Sequence, residues 1–162
     1  MKMGEDSKRK WLYIGEIKNG KRVGRGDIIW NNGSKYSGNF EDDMREGHGV
    51  YVHANGGKYD GNWAKDMKNG KGVFTYADSG ERYEGEYKNN EKHGYGTYYY
   101  SDGSKYAGEW RFDMKDGKGV YYLANKDRYE GFWEKDALHG KGVHISSNGQ
   151  KKPKEYKNGK RV

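Results

Sequence analysis

Residues 83–103 read YEGEYKNNEKHGYGTYYYSDG, and this pattern is typical of a β-hairpin. Tyr83, Gly85 and Tyr87 alternate with polar residues, so a strand places them together on one face. A G-x-G pair follows and leads into a second run of β-favouring residues. The dipeptide Asp102-Gly103 then supplies the positive φ angles of a tight turn. The segment therefore predicts two antiparallel strands followed by a turn.

The same pattern occurs six times along the chain, at steps of 23 residues with a single step of 24. A fixed period of this length indicates a repeat array. Each repeat has a leading tyrosine, a glycine two residues later and, in five repeats, an aromatic residue two further on. These predicted core residues are Tyr13, Gly15, Tyr36, Gly38, Phe40, Tyr59, Gly61, Trp63, Tyr83, Gly85, Tyr87, Tyr106, Gly108, Trp110, Tyr129, Gly131 and Trp133.

The composition of the 162 residues agrees with a core of this kind. Leu, Ile, Val and Phe together number only 19, too few for a thick aliphatic core. Aromatic residues make up 15% and Gly contributes 27 residues, whereas disordered chains are poor in aromatics. Because Gly weakens a strand unless something approaches its backbone closely, we expect aromatic rings to pack against the glycines.

The units beginning at Tyr83 and Tyr106 resemble MORN repeats in their Y-x-G-x-(W/Y) and G-x-G elements. The resemblance implies an all-β fold, an elongated twisted antiparallel sheet of tandem β-hairpins with about six and a half units. The expected division is an N-terminal extension at 1–12, six repeats at 13–35, 36–58, 59–82, 83–105, 106–128 and 129–151, and a partial seventh repeat with a basic tail at 152–162.

The sequence offers little for catalysis. There is no Cys, which excludes disulfides and thiolate sites and favours an intracellular protein. His93 and His139 share one repeat position with Glu46, Asn69 and Asp116, which is typical of a polar loop rather than a ligand set. No metal, nucleophile or phosphate-loop motif is present. We therefore expect no enzyme, no catalytic or metal residues and no cofactor.

Two groups are candidates for partner binding. The first is a run of surplus tyrosines, some of which must face outward because strand residues alternate faces: Tyr98, Tyr99, Tyr100, Tyr121 and Tyr122. The second is a recurring methionine at one loop position: Met44, Met67 and Met114. The alternatives are surface filling for the tyrosines and, for each methionine, an adaptable plug over its own hairpin.

The net charge of +7 belongs to the ends of the chain. Residues 13–149 hold 21 basic and 21 acidic residues, so no basic stripe and no nucleic-acid partner are expected. The C-terminal segment is basic through Lys151, Lys152, Lys154, Lys157, Lys160 and Arg161. This cluster is a candidate for contact with anionic lipid, or for a solvated end that protects an open sheet edge.

These patterns favour a non-catalytic scaffold that holds other proteins, and the resemblance to MORN repeats implies a cytoskeletal assembly as its context. Residues 92–125 resemble the radial-spoke head MORN proteins of motile cilia, which implies a place in the axoneme of a cilium or flagellum. The alternatives are a peripheral membrane protein that binds anionic phospholipid through its basic termini and a subunit that regulates an enzyme in trans. The truncated seventh unit also predicts self-association, or pairing with a partner chain, through the C-terminal edge. The N-terminal residues show no signal-peptide pattern, and no apolar run is long enough to span a membrane.

Overall fold

Strands and turns account for all regular structure in the computed structural model, which describes residues 2–6 and 9–162, with side chains from Lys10 onward. The prediction of an all-β fold built from tandem antiparallel hairpins is confirmed. The chain divides into two compact units. One contains the chain as far as Ser79 together with Lys88–Asn90, and the other contains Gly80–Tyr87 and Glu91–Val162.

The first unit is an antiparallel sheet in which each strand pairs with the next one along the chain. Its strands are β1 (Lys2–Asp6), β2 (Arg9–Lys18), β3 (Lys21–Trp30), β4 (Lys35–Glu41), β5 (Met44–Val52), β6 (Lys58–Ala64) and β7 (Met67–Thr75).

The second unit repeats this arrangement, with sequential antiparallel pairing from β9 onward. Its strands are β8 (Arg82–Lys88), β9 (Glu91–Tyr99), β10 (Lys105–Arg111), β11 (Met114–Tyr122), β12 (Arg128–Glu134), β13 (Ala137–Ile145), β14 (Lys151–Lys157) and β15 (Lys160–Arg161).

The two faces of each unit differ in character. Tyr36 pairs with Tyr51, and Gly38 pairs with Gly49, so these residues share one side of the sheet. We call the side that carries the leading tyrosines the tyrosine face and the opposite side the outer face. The leading tyrosines are buried, with exposed fractions between 0 and 6%.

The turn inside each repeat is shorter than the sequence suggests. The recurring methionines were assigned to a loop, but only Lys65 and Asp66 connect β6 to β7, which begins at Met67. Both turn residues have positive φ angles, 48° and 65°, which match the twist of the flanking strands and allow a two-residue connection. Met67, like Met44 and Met114, therefore opens a strand and does not occupy a loop.

The turns between repeats use glycine where the sequence provides it. Gly33, Gly56, Gly103 and Gly149 have φ angles between 84° and 91°. The fifth repeat has Asn125-Lys126-Asp127 in place of this glycine, and Lys126 adopts the left-handed conformation at φ 71°. Its backbone N–H donates to the carbonyl of Leu123, so the turn hydrogen bond is kept.

Strands also extend beyond the six predicted repeats. In the N-terminal extension, β1 pairs with β2, while Met1, Ser7 and Lys8 lie outside the described residues. In the seventh unit Lys152 and Lys154 occupy the Tyr and Gly positions of the first strand. This strand nevertheless forms as β14, where Lys152 pairs with His144 and Lys154 pairs with Gly142.

Each leading tyrosine lies flat over a pair of glycines. A Cβ atom placed on Gly49 would lie 2.3 Å from Tyr36 Oη, and one on Gly38 would lie 2.5 Å from it. Distances below 3.0 Å are not compatible with a real side chain. The ring therefore requires the glycine after each tyrosine and the second glycine of the G-x-G pair, whereas the first glycine of the pair, Gly47, is favoured by its positive φ angle of 68°.

The tyrosine hydroxyl also donates a hydrogen bond to a backbone carbonyl at the point where the strand register shifts. The register of the β4–β5 pair shifts between Gly38 and Phe40, where Asn39 of β4 lies opposite residues 46–48 of β5, so the β-bulge is in the G-x-G strand. Tyr36 Oη donates to the Asn39 carbonyl oxygen at 3.0 Å. The same bond joins Tyr13, Tyr59, Tyr83 and Tyr106 to the carbonyl three residues later, at 2.8–3.1 Å.

The sixth repeat is the exception. Its register shift lies between Glu130 and Phe132, so the bulge occurs one residue earlier than in the β10–β11 pair. Tyr129 Oη is buried without a hydrogen-bond partner among the described residues. The displaced bulge therefore leaves this hydroxyl without the acceptor that its counterparts use.

The second aromatic residue of each repeat joins neighbouring repeats. Trp63 meets Tyr59 of its own repeat and Tyr36 of the preceding one edge to face, at 5.2 and 5.5 Å between ring centroids. Its indole Nε1 donates to the Gly49 carbonyl at 3.1 Å. Trp110 in the second unit makes the equivalent bond to the Gly96 carbonyl. Edge-to-face contacts of this kind stabilise aromatic cores beyond their buried area.

Replacing Tyr106 by Phe removes the donor to the Glu109 carbonyl, so we expect the free energy of unfolding to fall by about 1–2 kcal/mol. Tyr129→Phe is the matched control in the same unit: it removes a buried hydroxyl without a partner and should leave stability unchanged or higher. Denaturant unfolding of both variants measures the difference. Equal losses would show that the bulge bond does not stabilise the fold.

Burial of the tyrosine hydroxyls predicts unfolding by alkali. Burial raises the pKa of Tyr13, Tyr59, Tyr83, Tyr106 and Tyr129, and raises that of Tyr36 to about 12. In the unfolded chain these groups lose protons near their ordinary pKa of 10.0. Above that pH the unfolded state binds fewer protons, so stability declines with rising pH.

Each tyrosine contributes a slope of up to about 1.4 kcal/mol per pH unit above its unfolded pKa, until pH reaches its folded pKa. Lys92 and Lys115, whose pKa burial lowers, act in the opposite direction but are fewer. We expect stability to change little between about pH 7 and 9 and to fall steeply beyond about pH 10. Urea unfolding across this range measures it, and a flat profile would contradict the burial of the hydroxyls.

Candidate protein-binding face

In each unit a row of basic side chains lies on the tyrosine face, at one position in five of the six repeats; the sixth repeat has Leu138 there. It comprises Arg22, Arg45 and Lys68 in the first unit and Lys92 and Lys115 in the second. The equal count of basic and acidic residues does not reveal this arrangement, in which Arg22 and Arg45 form ion pairs with Asp43 and Asp66 of the next hairpin. The sequence signal was present: the residues recur at the repeat period, directly after the methionine position.

Each cation lies over several aromatic rings. The Arg45 guanidinium is 4.1 Å from the ring centroid of Trp63 and 5.8 Å from that of Tyr51. Lys92 Nζ lies 4.8 Å from the Trp110 ring and 5.2 Å from the Tyr98 ring. Cation–π contacts of this geometry are more favourable where the cation is partly shielded from water. Burial lowers the pKa of Lys92, while Asp113 opposes that shift.

Side-chain oxygens from the next hairpin, four from Asp and one from Asn, hold these basic residues in place. The Arg45 backbone N–H and Nε both donate to Asp66 Oδ1, at 2.9 and 3.0 Å. The guanidinium also reaches the Asp66 carbonyl oxygen at 2.8 Å. The same backbone bond runs from Arg22 to Asp43, from Lys68 to Asn90, from Lys92 to Asp113 and from Lys115 to Asp136, at 2.8–2.9 Å. Each turn residue thus ties one hairpin to the preceding one.

A groove of about 810 Å³ opens on the tyrosine face of the first unit. Its lining includes Trp30, Tyr51, Trp63, Arg45 and Lys68. Trp30 and Tyr51 are only half-buried, and their ring centroids lie 5.4 Å apart. The groove therefore combines exposed aromatic surface with cations whose positions are fixed by hydrogen bonds.

The structure divides the five candidate tyrosines between the two faces. Tyr98 and Tyr121 pair with Tyr106 and so lie on the tyrosine face, where Tyr100 stacks against both at 4.6 and 5.8 Å. Tyr99 and Tyr122 lie on the outer face, one on each side of Lys105. Alternation along the strands separates them, so they do not form one stripe.

The other candidates lie at hairpin ends and at the C-terminal edge. Met44, Met67 and Met114 are half-buried and pair with the last residue of the preceding strand. Of the basic tail, Lys151, Lys152, Lys157, Lys160 and Arg161 are exposed and Lys154 is half-buried. These residues belong to β14 and β15, so the basic tail is an ordered part of the sheet.

The histidines are engaged in local contacts. The His93 ring lies 6.4 Å from that of Phe112, and His139 Nδ1 lies 3.3 Å from Asn158 Oδ1. Among the described residues, no group of three or more His, Cys, Asp or Glu side chains has the arrangement of a metal site. Within residues 2–6 and 9–162, no helix has the length and apolarity needed to cross a membrane.

Two solved structures have a similar fold. The TCP10 domain of Danio rerio CPAP, in complex with a peptide of STIL, aligns with a TM-score of 0.50 and 9% identity over 91% of this chain and 71% of that one. The TCP domain of Drosophila melanogaster SAS-4, in complex with a proline-rich motif of Ana2, aligns with a TM-score of 0.48 and 15% identity over 86% and 82% of the two chains. No curated protein sequence matches significantly.

The family comparison covers most of the chain. The model of the MORN repeat matches six segments, at residues 13–35, 36–58, 59–81, 83–105, 106–128 and 129–151. These matches begin at the six leading tyrosines that lie over the glycine pairs. The chain therefore belongs to the MORN repeat family.

Proposed function

We propose that the chain is a non-catalytic scaffold that binds protein partners on its tyrosine face. The observation that carries this proposal is the groove of the first unit, where half-buried Trp30 and Tyr51 lie beside Arg45 and Lys68. Aromatic residues and Arg are the side chains most enriched at protein interfaces. MORN repeats are a non-catalytic repeat type, which agrees with this function.

The groove is suited to an extended segment with apolar and acidic side chains. Its rings offer apolar area, and the cations on its floor outnumber the lining carboxylate of Asp66. Because Arg45 and Asp66 are joined by three hydrogen bonds, the groove is formed before a partner arrives, which reduces the entropy lost on binding. The peptide complex of the zebrafish TCP10 domain, which shares the fold, supports this mode of binding.

We further propose that the partners belong to a cytoskeletal assembly, and specifically to the axoneme of a cilium or flagellum, with a radial-spoke head as the preferred location. The support is the resemblance of residues 92–125 to radial-spoke head MORN proteins. That stretch includes β10 and β11, whose aromatic rings surround Lys92 and Lys115 on the tyrosine face.

In a ciliated cell, a tagged wild-type chain should concentrate in the axoneme and retain a reproducible set of axonemal proteins after affinity capture. The Trp30→Ser/Tyr51→Ser variant removes the exposed rings of the groove and should reduce that capture by about tenfold or more. Val50→Ser, on the outer face of the same unit, is the matched control and should retain it. Equal capture by both variants would refute binding in the groove, and a diffuse cytoplasmic signal would refute the axonemal location.

The alternative function, binding of anionic phospholipid, is supported by the exposure of the basic tail around β14 and β15. Lysines near an anionic surface contribute about 1 kcal/mol each. If this function is correct, the chain should float with phosphatidylserine-containing vesicles at physiological salt. Reversal of Lys151, Lys152 and Lys157 to Glu should abolish flotation, while reversal of Lys18, Lys21 and Lys35 is the control. Absence of wild-type flotation would exclude it.

A further inference from the structure

Three positions in the second unit carry exposed aromatic side chains where other repeats carry polar ones. Tyr95 is 57% exposed, Phe112 61% and Phe132 44%. The position of Tyr95 is occupied elsewhere by Arg25, His48, Lys71, Lys118 and Lys141, that of Phe112 by Asn19, Asp42, Lys65, Asn89, Lys135 and Asn158, and that of Phe132 by Glu16, Asn39, Asn62, Glu86, Glu109 and Glu155. The repeat fold therefore does not need aromatic rings at these positions.

Phe112 is unfavourable where it stands. It is the first residue of the turn between β10 and β11 and has a φ angle of 50°, a conformation that bulky side chains rarely adopt. Its ring meets His93 at 6.4 Å but remains mostly exposed to water. Backbone strain at an exposed aromatic residue indicates a role outside the packing of the chain itself.

Tyr95 and Phe132 are the ends of a row that crosses four strands on the outer face. Tyr95 on β9 pairs with Glu109 on β10, and Lys118 on β11 pairs with Phe132 on β12. Glu109 Oε1 accepts the Lys118 backbone N–H at 3.2 Å, which places these two residues side by side at the centre. The order Tyr95, Glu109, Lys118, Phe132 spans about 14 Å, at ~4.8 Å per strand.

This row is complementary to itself. If a second copy of the row lies over the first in the opposite direction, each aromatic residue faces an aromatic residue, and each carboxylate faces an ammonium group. We propose that the outer face of the second unit binds a second copy of this chain, about a twofold axis parallel to the strands. Tyr95 of each copy then packs against Phe132 of the other, and Glu109 pairs with Lys118. In such an isologous interface every contact occurs twice.

The neighbouring residues fit the same axis. Ala107 and Val120 pair across β10 and β11 on the outer face and are both half-buried, so reversal brings each of them onto the other. The turn that carries Phe112 joins these two central strands, and the axis therefore brings the two copies of this exposed ring close together. The patch has aromatic residues at its ends, one acidic and one basic residue at its centre and an apolar pair beside it, a combination common at protein interfaces.

The outer face of the first unit lacks these features. The residues equivalent to Lys118 and Glu109 in the third repeat are Lys71 and Asn62, and the residue equivalent to Tyr95 is His48 in the second. Reversal there brings together polar groups without complementary charge. The proposed interface is therefore confined to the second unit, and it leaves the tyrosine face available for the partners discussed above.

Charge reversal tests the pairing. The wild-type chain should sediment as a dimer, and Glu109→Lys or Lys118→Glu should each weaken self-association by at least about tenfold, because each places like charges opposite one another twice. An equimolar mixture of the two variants should recover the dimer, since two lysines of one copy then face two glutamates of the other. Native mass spectrometry with one variant isotopically labelled should find a heterodimer. A monomeric wild type, or a mixture that remains monomeric, would overturn the proposal.

Substitutions taken from the chain's own repeats test the aromatic residues. Tyr95→Lys, Phe132→Glu and Phe112→Asn introduce residues that other repeats carry at these positions. Each should weaken the dimer while leaving the circular dichroism spectrum unchanged. Phe112→Asn should in addition raise the unfolding midpoint of the monomer, because Asn tolerates the left-handed conformation. A dimer that survives all three substitutions would show that the interface lies elsewhere.

Two controls distinguish self-association through this surface from self-association through the first unit or the C-terminal edge. Lys71→Glu reverses the equivalent charge in the first unit and should leave self-association unchanged. Deletion of 152–162 removes most of β14 and all of β15, so it tests association through the C-terminal edge. On the present proposal the truncated chain still dimerises, whereas loss of the dimer on truncation together with retention in Lys118→Glu would assign self-association to the edge.

Discussion

The close contact between a tyrosine ring and a pair of glycines controls the rest of this protein. The ring of Tyr36 covers Gly38 and Gly49 so closely that neither position has space for a Cβ atom, and the tyrosine hydroxyl reaches the Asn39 carbonyl opposite the β-bulge. One side chain thus provides apolar burial, fixes the register of two strands and satisfies a backbone group that the ladder leaves unpaired. Because the contact is complete within one hairpin, it recurs at the repeat period.

Contacts between hairpins have a different basis. The second aromatic residue meets the tyrosines of its own and the preceding repeat, and the turn residue accepts a hydrogen bond from the backbone N–H of the preceding hairpin. Both contacts bring a cation over the rings, as Arg45 lies over Trp63. The contacts that join the hairpins therefore also form an aromatic and basic surface. No other part of the chain is needed to hold the groove of the first unit in shape.

Much of the fold could be predicted from residue spacing alone, because period-2 strands and glycine turns are local features. The two-residue turns were missed since Lys65 and Phe112 are not residues in which positive φ angles are expected. The row of cations was missed because a count of charges does not show which face each one occupies. Similarly, the sequence showed that these strands contain more tyrosines than one face can hold. The face on which each tyrosine lies depended on its cross-strand partner.

The sequence by itself determined the repeat, the strand pattern and the positions that must remain glycine, since these depend on interactions within about two dozen residues. Only the tertiary structure decided which side chains become neighbours across strands. Register places Glu109 beside Lys118, aligns Tyr95 and Phe132 in one row, and leaves the Tyr129 hydroxyl without an acceptor after its bulge moves by one residue. The physical reason is that each of these features depends on hydrogen-bond pairing between strands, where a shift of one residue changes every neighbour.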